Sequence, residues 1–141
     1  MMNEIERKTK IGYLSSYQWL HDEIVDDEER LAQLDARLYS PPSRRITDMP
    51  RGGQPVTMET LVAEKIELQD QINAKCAQRN MIKQSIEAMP HARDRRILKL
   101  MYIDGMTQEA IAERINYSLT QTRRYYEMAL EHYVIMDTNG R

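Results

Sequence analysis

Residues 107–130 read TQEAIAERINYSLTQTRRYYEMAL, and this stretch predicts two short helices joined by a tight turn. Thr107 is placed to cap the first helix, because a threonine side chain can accept an unpaired N–H of the first turn. The apolar face of this first helix is formed by Ile111, Ala112 and Ile115. Asn116 follows, and asparagine tolerates the left-handed backbone that ends a helix better than most residues other than glycine. The first helix is therefore predicted to end at Asn116.

The second helix of this stretch is predicted to begin with a capping box. Ser118 can cap it, and Gln121 stands at the spacing where each side chain reaches the other residue's backbone N–H. Its inward face is formed by Thr122, Tyr126, Ala129 and Tyr133. Two helices with a short turn, and small Ala112 where they approach, are typical of a DNA-binding helix-turn-helix. An ordinary helical hairpin without nucleic acid has the same pattern and stays an alternative.

The DNA hypothesis assigns roles to exposed polar positions. The helix from Ser118 to Glu131 would enter the major groove, where glutamine can pair with adenine and arginine with guanine. The residues best placed for base edges are Thr120, Gln121 and Arg124, and Ser118 at the start of the helix is also predicted to contact DNA. Phosphate contacts, which position a protein without specifying a sequence, are predicted for Arg123, Arg93, Arg95 and Arg96. Tyr125 could support the DNA backbone or pack in the core, and both roles stay open.

Composition bounds the class of protein. A chain of 141 residues with 30% charged and 41% hydrophobic residues is one modest domain or two small helical units. No apolar run reaches the roughly 20 residues that cross a membrane, and no signal peptide is visible. The single Cys76 cannot form an internal disulfide, so a reduced, cytoplasmic setting is expected. The net charge is −2, but residues 90–141 hold eight Lys and Arg against seven Asp and Glu, which is consistent with DNA contact.

The predicted fold is all-α, and its first part is a pair of long helices at about residues 11–39 and 58–89. Each has a narrow apolar repeat of the coiled-coil kind. The first repeat comprises Tyr13, Tyr17, Leu20, Ile24, Leu31, Leu34 and Leu38. The second comprises Met58, Leu61, Leu68, Ile72, Ile82, Ile86 and Met89. Asp27 interrupts the first, and Lys65, Lys75 and Arg79 interrupt the second. We expect an antiparallel hairpin that needs a further partner, either the C-terminal helices or a second copy.

The domain boundaries follow from proline and glycine. The Pro- and Gly-rich connector 40–57 carries Arg44, Arg45 and Arg51 and could be a DNA-tracking arm or a solvated link. The helical hairpin, an oligomerisation region, is thus residues 1–89. After Pro90, a helix at 91–102 is expected to support the helix-turn-helix domain, 90–136, and the tail 137–141 to be flexible.

Enzymatic and metal functions are not indicated by the sequence. The acidic run 26–29 points in four directions on a helix, so it is expected to be a solvated face rather than a metal site. His21, His91 and His132 have no ligand spacing with one another or with Cys76. No nucleophile–base arrangement stands out. We therefore expect no enzyme, no cofactor and no metal.

Residues 95–130, RRILKLMYIDGMTQEAIAERINYSLTQTRRYYEMAL, resemble region 4 of bacterial sigma factors, which reads promoter DNA. The whole chain resembles a family of phage and prophage transcriptional regulators of the autolysin-regulator and late-gene activator type. This resemblance rests on Tyr13-Leu14, the connector at 46–53 and Asn116-Tyr117-Ser118. Departures are Thr122, where the family places an aliphatic residue, and the Tyr125-Tyr126 pair. No basic, aromatic-rich region for melting a promoter is present, so a stand-alone sigma factor is not expected.

Three functions follow from this comparison of patterns. The leading one is a sequence-specific DNA-binding transcriptional regulator, an activator of phage or prophage late genes in the cytoplasm of a bacterial host. Its predicted partners are double-stranded promoter DNA, a second copy in a homodimer and host RNA polymerase, with no membrane. The alternatives are a polymerase- or protein-binding module that does not read sequence, and a DNA-packaging accessory like a small terminase subunit.

Overall fold

The computed structural model describes residues 2–39 and 57–136, and this part of the chain folds into helices without any strand. Two long helices come first, α1 at Glu4–Leu38 and α2 at Met58–Glu87. Three shorter ones follow, α3 at Ala92–Leu98, α4 at Gln108–Ile115 and α5 at Leu119–His132. The prediction of an all-α protein with a long N-terminal helix is confirmed.

Two helix boundaries differ from the prediction. Helix α1 begins at Glu4 rather than near residue 11, because Asn3 Oδ1 accepts the N–H of Glu6 at 2.7 Å and so caps the first turn. The predicted helix at 91–102 is α-helical only as far as Leu98. It continues as a π-helical segment, Lys99–Ile103, whose wider turn is closed by the bond from Asp104 N–H to Lys99 O at 2.9 Å.

The chain divides into two compact units. The larger unit comprises Met1–His21 and Ala77–Arg141, and the smaller unit comprises Asp22–Cys76. This division cuts through the predicted region 1–89, because the beginning of α1 and the end of α2 pack with the C-terminal helices. The predicted roles of Arg44, Arg45 and Arg51 and of the tail 137–141 fall outside the described residues.

The core of the larger unit is built from α1, α2, α3 and α5. From the two long helices it takes Leu14, Ile82, Ile86 and Met89, and from the shorter elements Ile97, Leu98, Tyr102, Tyr126, Ala129, Leu130 and Tyr133. On α1 it is Leu14 that is fully buried, whereas Tyr13 and Tyr17 of the predicted repeat only pack at its edge. Burial of these side chains is the main stabilising contribution to the unit.

Polar side chains also hold the start of α1 in the larger unit. Lys10 Nζ donates to the Leu130 carbonyl at 2.9 Å, and Tyr13 Oη donates to the Met136 carbonyl at 2.9 Å. Gln18 Nε2 donates to the Ile103 carbonyl at 2.7 Å, at the end of the π-helical segment. All three carbonyls lie at or beyond the end of a helical segment, where carbonyls are available to side chains.

In the smaller unit, one residue of the acidic run contradicts the prediction of a solvated face. Asp26, Glu28 and Glu29 are exposed, but Asp27 is only 3% exposed. Lys75 Nζ donates to Asp27 Oδ2 at 2.6 Å. Asp27 of α1 and Lys75 of α2, each an interruption of its helix's apolar repeat, therefore form an ion pair, as a buried carboxylate requires.

Cys76, on α2, is partly buried. No helix within residues 2–39 and 57–136 is long and apolar enough to span a membrane.

Candidate nucleic-acid interface

The two helices of residues 107–132 have the end structures that their sequence predicts. Thr107 Oγ1 accepts the N–H of Ala110 at 3.2 Å, which caps α4. Asn116 ends α4 with φ 62°, in the left-handed region. Ser118 Oγ accepts the N–H of Gln121 at 3.1 Å, and Gln121 Oε1 accepts the N–H of Ser118 at 3.2 Å. Each end of the short connection between α4 and α5 is thus stabilised locally.

The inward face of α5 is the predicted one. Thr122, Tyr126, Ala129 and Tyr133 are all buried. Thr122 is polar although fully buried, and its hydroxyl donates to the Ser118 carbonyl at 2.9 Å, so its burial leaves no hydroxyl unpaired. The hydroxyls of Tyr126 and Tyr102 bond each other in the interior. This face fixes which side of α5 points away from the core.

The outward side of α5 presents the residues predicted to contact DNA. Thr120, Gln121, Arg123 and Arg124 are exposed. Thr120 and Arg124 are four residues apart and share one face. The Oε1 of Gln121 already accepts a bond in the capping box. Gln121 can therefore offer DNA only its amide N–H groups if the cap is to be kept. Arg123 Nε lies 3.4 Å from Gln108 Oε1 at the start of α4.

Beside this face, Arg93 is held by an aromatic stack. Its guanidinium carbon lies 3.9 Å from the centre of the Tyr125 ring, and the Tyr117 ring meets Tyr125 edge-on at 5.1 Å between centroids. A guanidinium over an aromatic face is attracted by the ring's electrons and loses little freedom when it binds an anion. Tyr125 thus packs at the edge of the core, one of the two roles that the sequence left open, and it also supports the Arg93 guanidinium.

Arg93 and Arg96 line the same open groove, but Arg95 does not join them. The groove has a volume of about 270 Å³, and its other lining residues are Ala92, Ile97, Ile115 and Tyr117. Arg95 turns the other way, and its Nη1 donates to the Met89 carbonyl at 2.6 Å. The three arginines of α3 that were predicted to contact phosphates thus separate into two that share a groove and one that bonds a carbonyl just after α2.

Comparison with known proteins gives one match. A family model described as a protein of unknown function, DUF1492, matches residues 38–133, more than half of the chain. The chain belongs to the DUF1492 family. No curated protein and no solved structure gives a significant match. The DUF1492 match includes the whole of α2 to α5, and so all of the residues predicted to contact DNA.

Two contacts made by residues of this DUF1492 region were not predicted from the sequence. Asp94, 1% exposed, accepts a bond at 2.8 Å from His132 Nδ1 and so ties the start of α3 to the end of α5. Arg7, which precedes the family match, bonds both oxygens of Glu127 on α5 at 2.6 and 3.0 Å. The hydrogen bond from Arg7 lowers the pKa of Glu127, and the same bond raises the pKa of Arg7. The sequence shows that these residues are ionisable, but it does not show which of them pair.

Proposed function

We propose that this protein is a sequence-specific DNA-binding transcriptional regulator in which α4 and α5 form a helix-turn-helix. The observation that carries the proposal is the doubly capped start of α5, which holds Thr120 and Arg124 exposed on one face. A helix of this kind is the size that the major groove accepts, since the groove is about 12 Å wide. In the proposal, Arg124 reads a guanine edge, and Thr120 contacts the neighbouring base.

In this proposal, Arg93 and Arg96 bind phosphates of the DNA backbone. A helix in the major groove has a phosphate backbone along each of its sides, so cations beside α5 are needed as well as polar groups on it. The stack on Tyr125 supports this role for Arg93, because it holds the guanidinium beside the outward face of α5. Arg123, near the start of α4, would serve the opposite strand.

The resemblance to phage regulators extends the proposal to an activator of phage or prophage genes, acting as a homodimer on promoter DNA. We propose that α1 and α2 form the antiparallel hairpin through which two copies associate. The order of the ion pairs in the smaller unit supports the hairpin. Lys75 pairs with Asp27, whereas the earlier Lys65 pairs with the later Asp35, so the two helices run in opposite directions. A dimer would place two α5 helices on half-sites about one turn of DNA apart.

A DNA-binding comparison tests the proposal. The purified protein is mixed with fragments that flank its own gene and with random DNA, at two salt concentrations, and protection of the DNA is mapped. We expect one fragment to stay protected at the higher salt, and Arg124→Ala to weaken that complex by ~1–3 kcal/mol. Arg37→Ala, which removes an exposed arginine from the smaller unit, is the matched control and should bind as the wild type does. Absence of protection on every fragment at both salts would refute sequence reading.

A second candidate function is a protein-binding module that docks on RNA polymerase without reading DNA. It is favoured by the accessible apolar residues Ala92 and Ile115 of the groove, which a phosphate alone does not need. Salt dependence separates the two functions, because phosphate contacts release counterions and protein contacts of this kind do not. Capture of purified polymerase with little loss at high salt, combined with no DNA footprint, would support this alternative.

A further inference from the structure

The outward face of α5 changes charge along its length. Thr120 and Arg124 lie near its start, and Glu127 and Glu131 follow at the spacing of three and four that keeps residues on one face. Glu127 is only about 4.5 Å farther along the helix axis than Arg124, at 1.5 Å for each residue. With Arg124 in the major groove, a carboxylate at that position would lie close to the phosphates that flank the groove, and it would repel them.

Glu127 is instead neutralised by a residue from the other end of the chain. Arg7 Nη2 lies 2.6 Å from Glu127 Oε1, and Arg7 Nε lies 3.0 Å from Glu127 Oε2. This is the two-bond geometry in which a guanidinium binds a carboxylate most strongly. The side chains of Arg7 and Glu127 remain 33% and 46% exposed, so the pair lies at the surface of the unit and not in its core. Surface pairs contribute little to folding stability, and this one therefore invites another explanation.

The backbone of α1 delivers Arg7 to this place. Arg7 meets Glu127, Lys10 bonds the carbonyls of Leu130 and Glu131, and Tyr13 bonds the carbonyl of Met136. The contacts advance in the same direction along both segments, so the second turn of α1 is held alongside the second half of α5. The anchoring at Lys10 and Tyr13 fixes the position of Arg7 independently of Glu127.

We infer that Arg7 masks the charge of Glu127 against DNA phosphates, which makes the start of α1 part of the DNA-binding surface. This inference rests on the proposed function and deepens it, with duplex DNA as the partner. Arg7 is a positioning residue here, since it acts through Glu127 and reads no base. Phosphate repulsion does not depend on base sequence, so removal of the mask weakens specific and random DNA alike.

A double-mutant cycle tests the masking. Affinities for the protected fragment and for random DNA are measured for the wild type, Arg7→Gln, Glu127→Gln and the double variant. We expect Arg7→Gln to weaken both complexes by about five- to tenfold, because it leaves a bare carboxylate near the phosphates. The double variant should return to within about twofold of the wild type, and Glu127→Gln alone should bind at least as tightly as the wild type.

Controls separate masking from a purely structural role. Lys99→Gln and Glu87→Gln break a comparably exposed pair at 3.7 Å and should leave DNA affinity unchanged. Thermal unfolding of each variant reports folding, and the recovery of affinity in the double variant is the result that a structural role would not produce. If Arg7→Gln does not fold, Glu127→Gln decides, since weaker binding than wild type overturns the inference.

The outcomes also separate this inference from the proposed function. Masking would be overturned if Arg7→Gln bound DNA with wild-type affinity, or if the double variant bound as weakly as Arg7→Gln. In either case Arg124→Ala would still lose affinity for the specific fragment, so the proposed function would stand. Failure of the wild-type protein to bind any DNA would remove the proposed function, and the masking with it.

Discussion

Lys75 Nζ and Asp27 Oδ2 are joined at 2.6 Å, and each of these residues interrupts the apolar repeat of its own helix. Asp27 is 3% exposed and Lys75 retains partial access to solvent. We expect Lys75→Met to lower the free energy of unfolding by about 2 kcal/mol, because it leaves the buried carboxylate with only the exposed Arg30, 3.5 Å away, as a counter-charge. The measurement is urea unfolding followed by circular dichroism.

The double variant Asp27→Leu/Lys75→Met should recover most of that loss, since apolar groups replace both charges. The matched control is Lys99→Met, which breaks an exposed pair and should change the free energy of unfolding by less than about 1 kcal/mol. Equal losses in the single and double variants would mean that the packing of the lysine stem, and not its charge, is what stabilises the unit.

Asn116 ends α4 at φ 62°, which an alanine adopts with difficulty. Asn116→Ala should therefore lower the free energy of unfolding by about 1 kcal/mol, whereas Asn116→Gly should be close to neutral. Asn80, exposed within α2, is the control, and Asn80→Ala should be neutral or slightly stabilising. The prediction fails if alanine and glycine at position 116 give the same stability.

The hydroxyls of Tyr102 and Tyr126 are paired within the core of the larger unit. Tyr102→Phe or Tyr126→Phe leaves the other hydroxyl buried without its partner and should lower the free energy of unfolding by about 1–2 kcal/mol. In the double variant neither hydroxyl remains, so its stability should lie closer to the wild type than that of either single variant. Chemical unfolding of the four proteins measures this difference directly.

Buried tyrosines make the protein sensitive to alkali. Burial raises the pKa of Tyr133 to about 12, and it also raises the pKa of Tyr102 and Tyr126. The unfolded chain loses these protons near pH 10, so the folded state binds more protons above that pH. The stability from these groups is complete below about pH 10 and falls as the pH rises towards 12.

Unfolding experiments across this alkaline range should show that decline. Tyr133→Phe should make it shallower, because one buried phenol no longer ionises on unfolding. Tyr39→Phe, at an exposed position, should leave the slope unchanged. An identical slope in Tyr133→Phe and the wild type would contradict the assignment to the buried ring.

The arginines of α3 should differ in what they do. Arg93→Ala and Arg96→Ala should each reduce the salt dependence of DNA binding by about one counterion, equally on specific and random DNA. Arg95→Ala should leave that dependence unchanged and lower the free energy of unfolding, because its guanidinium bonds the Met89 carbonyl. A reduced salt slope in Arg95→Ala would show that this arginine leaves Met89 to contact DNA.

The sequence alone determined the features that depend on neighbours within a few residues. The caps at Thr107 and Ser118, the left-handed Asn116 and the buried face of α5 all follow from residue type and helical spacing. These preferences act over one helical turn, so the surrounding fold had little to change. The exposure of Thr120, Gln121, Arg123 and Arg124 follows as well, because these residues lie outside the buried face of α5.

Only the tertiary structure decided which distant charges meet. The pairs Arg7–Glu127 and Lys75–Asp27 depend on how far one segment is displaced along another. An apolar repeat shows which face of a helix is buried, but it does not contain that displacement, since shifts by whole turns preserve the repeat. In the sequence these charged residues appear only as interruptions of an apolar repeat or as solvated positions. The packing of the helices determines which of them form pairs.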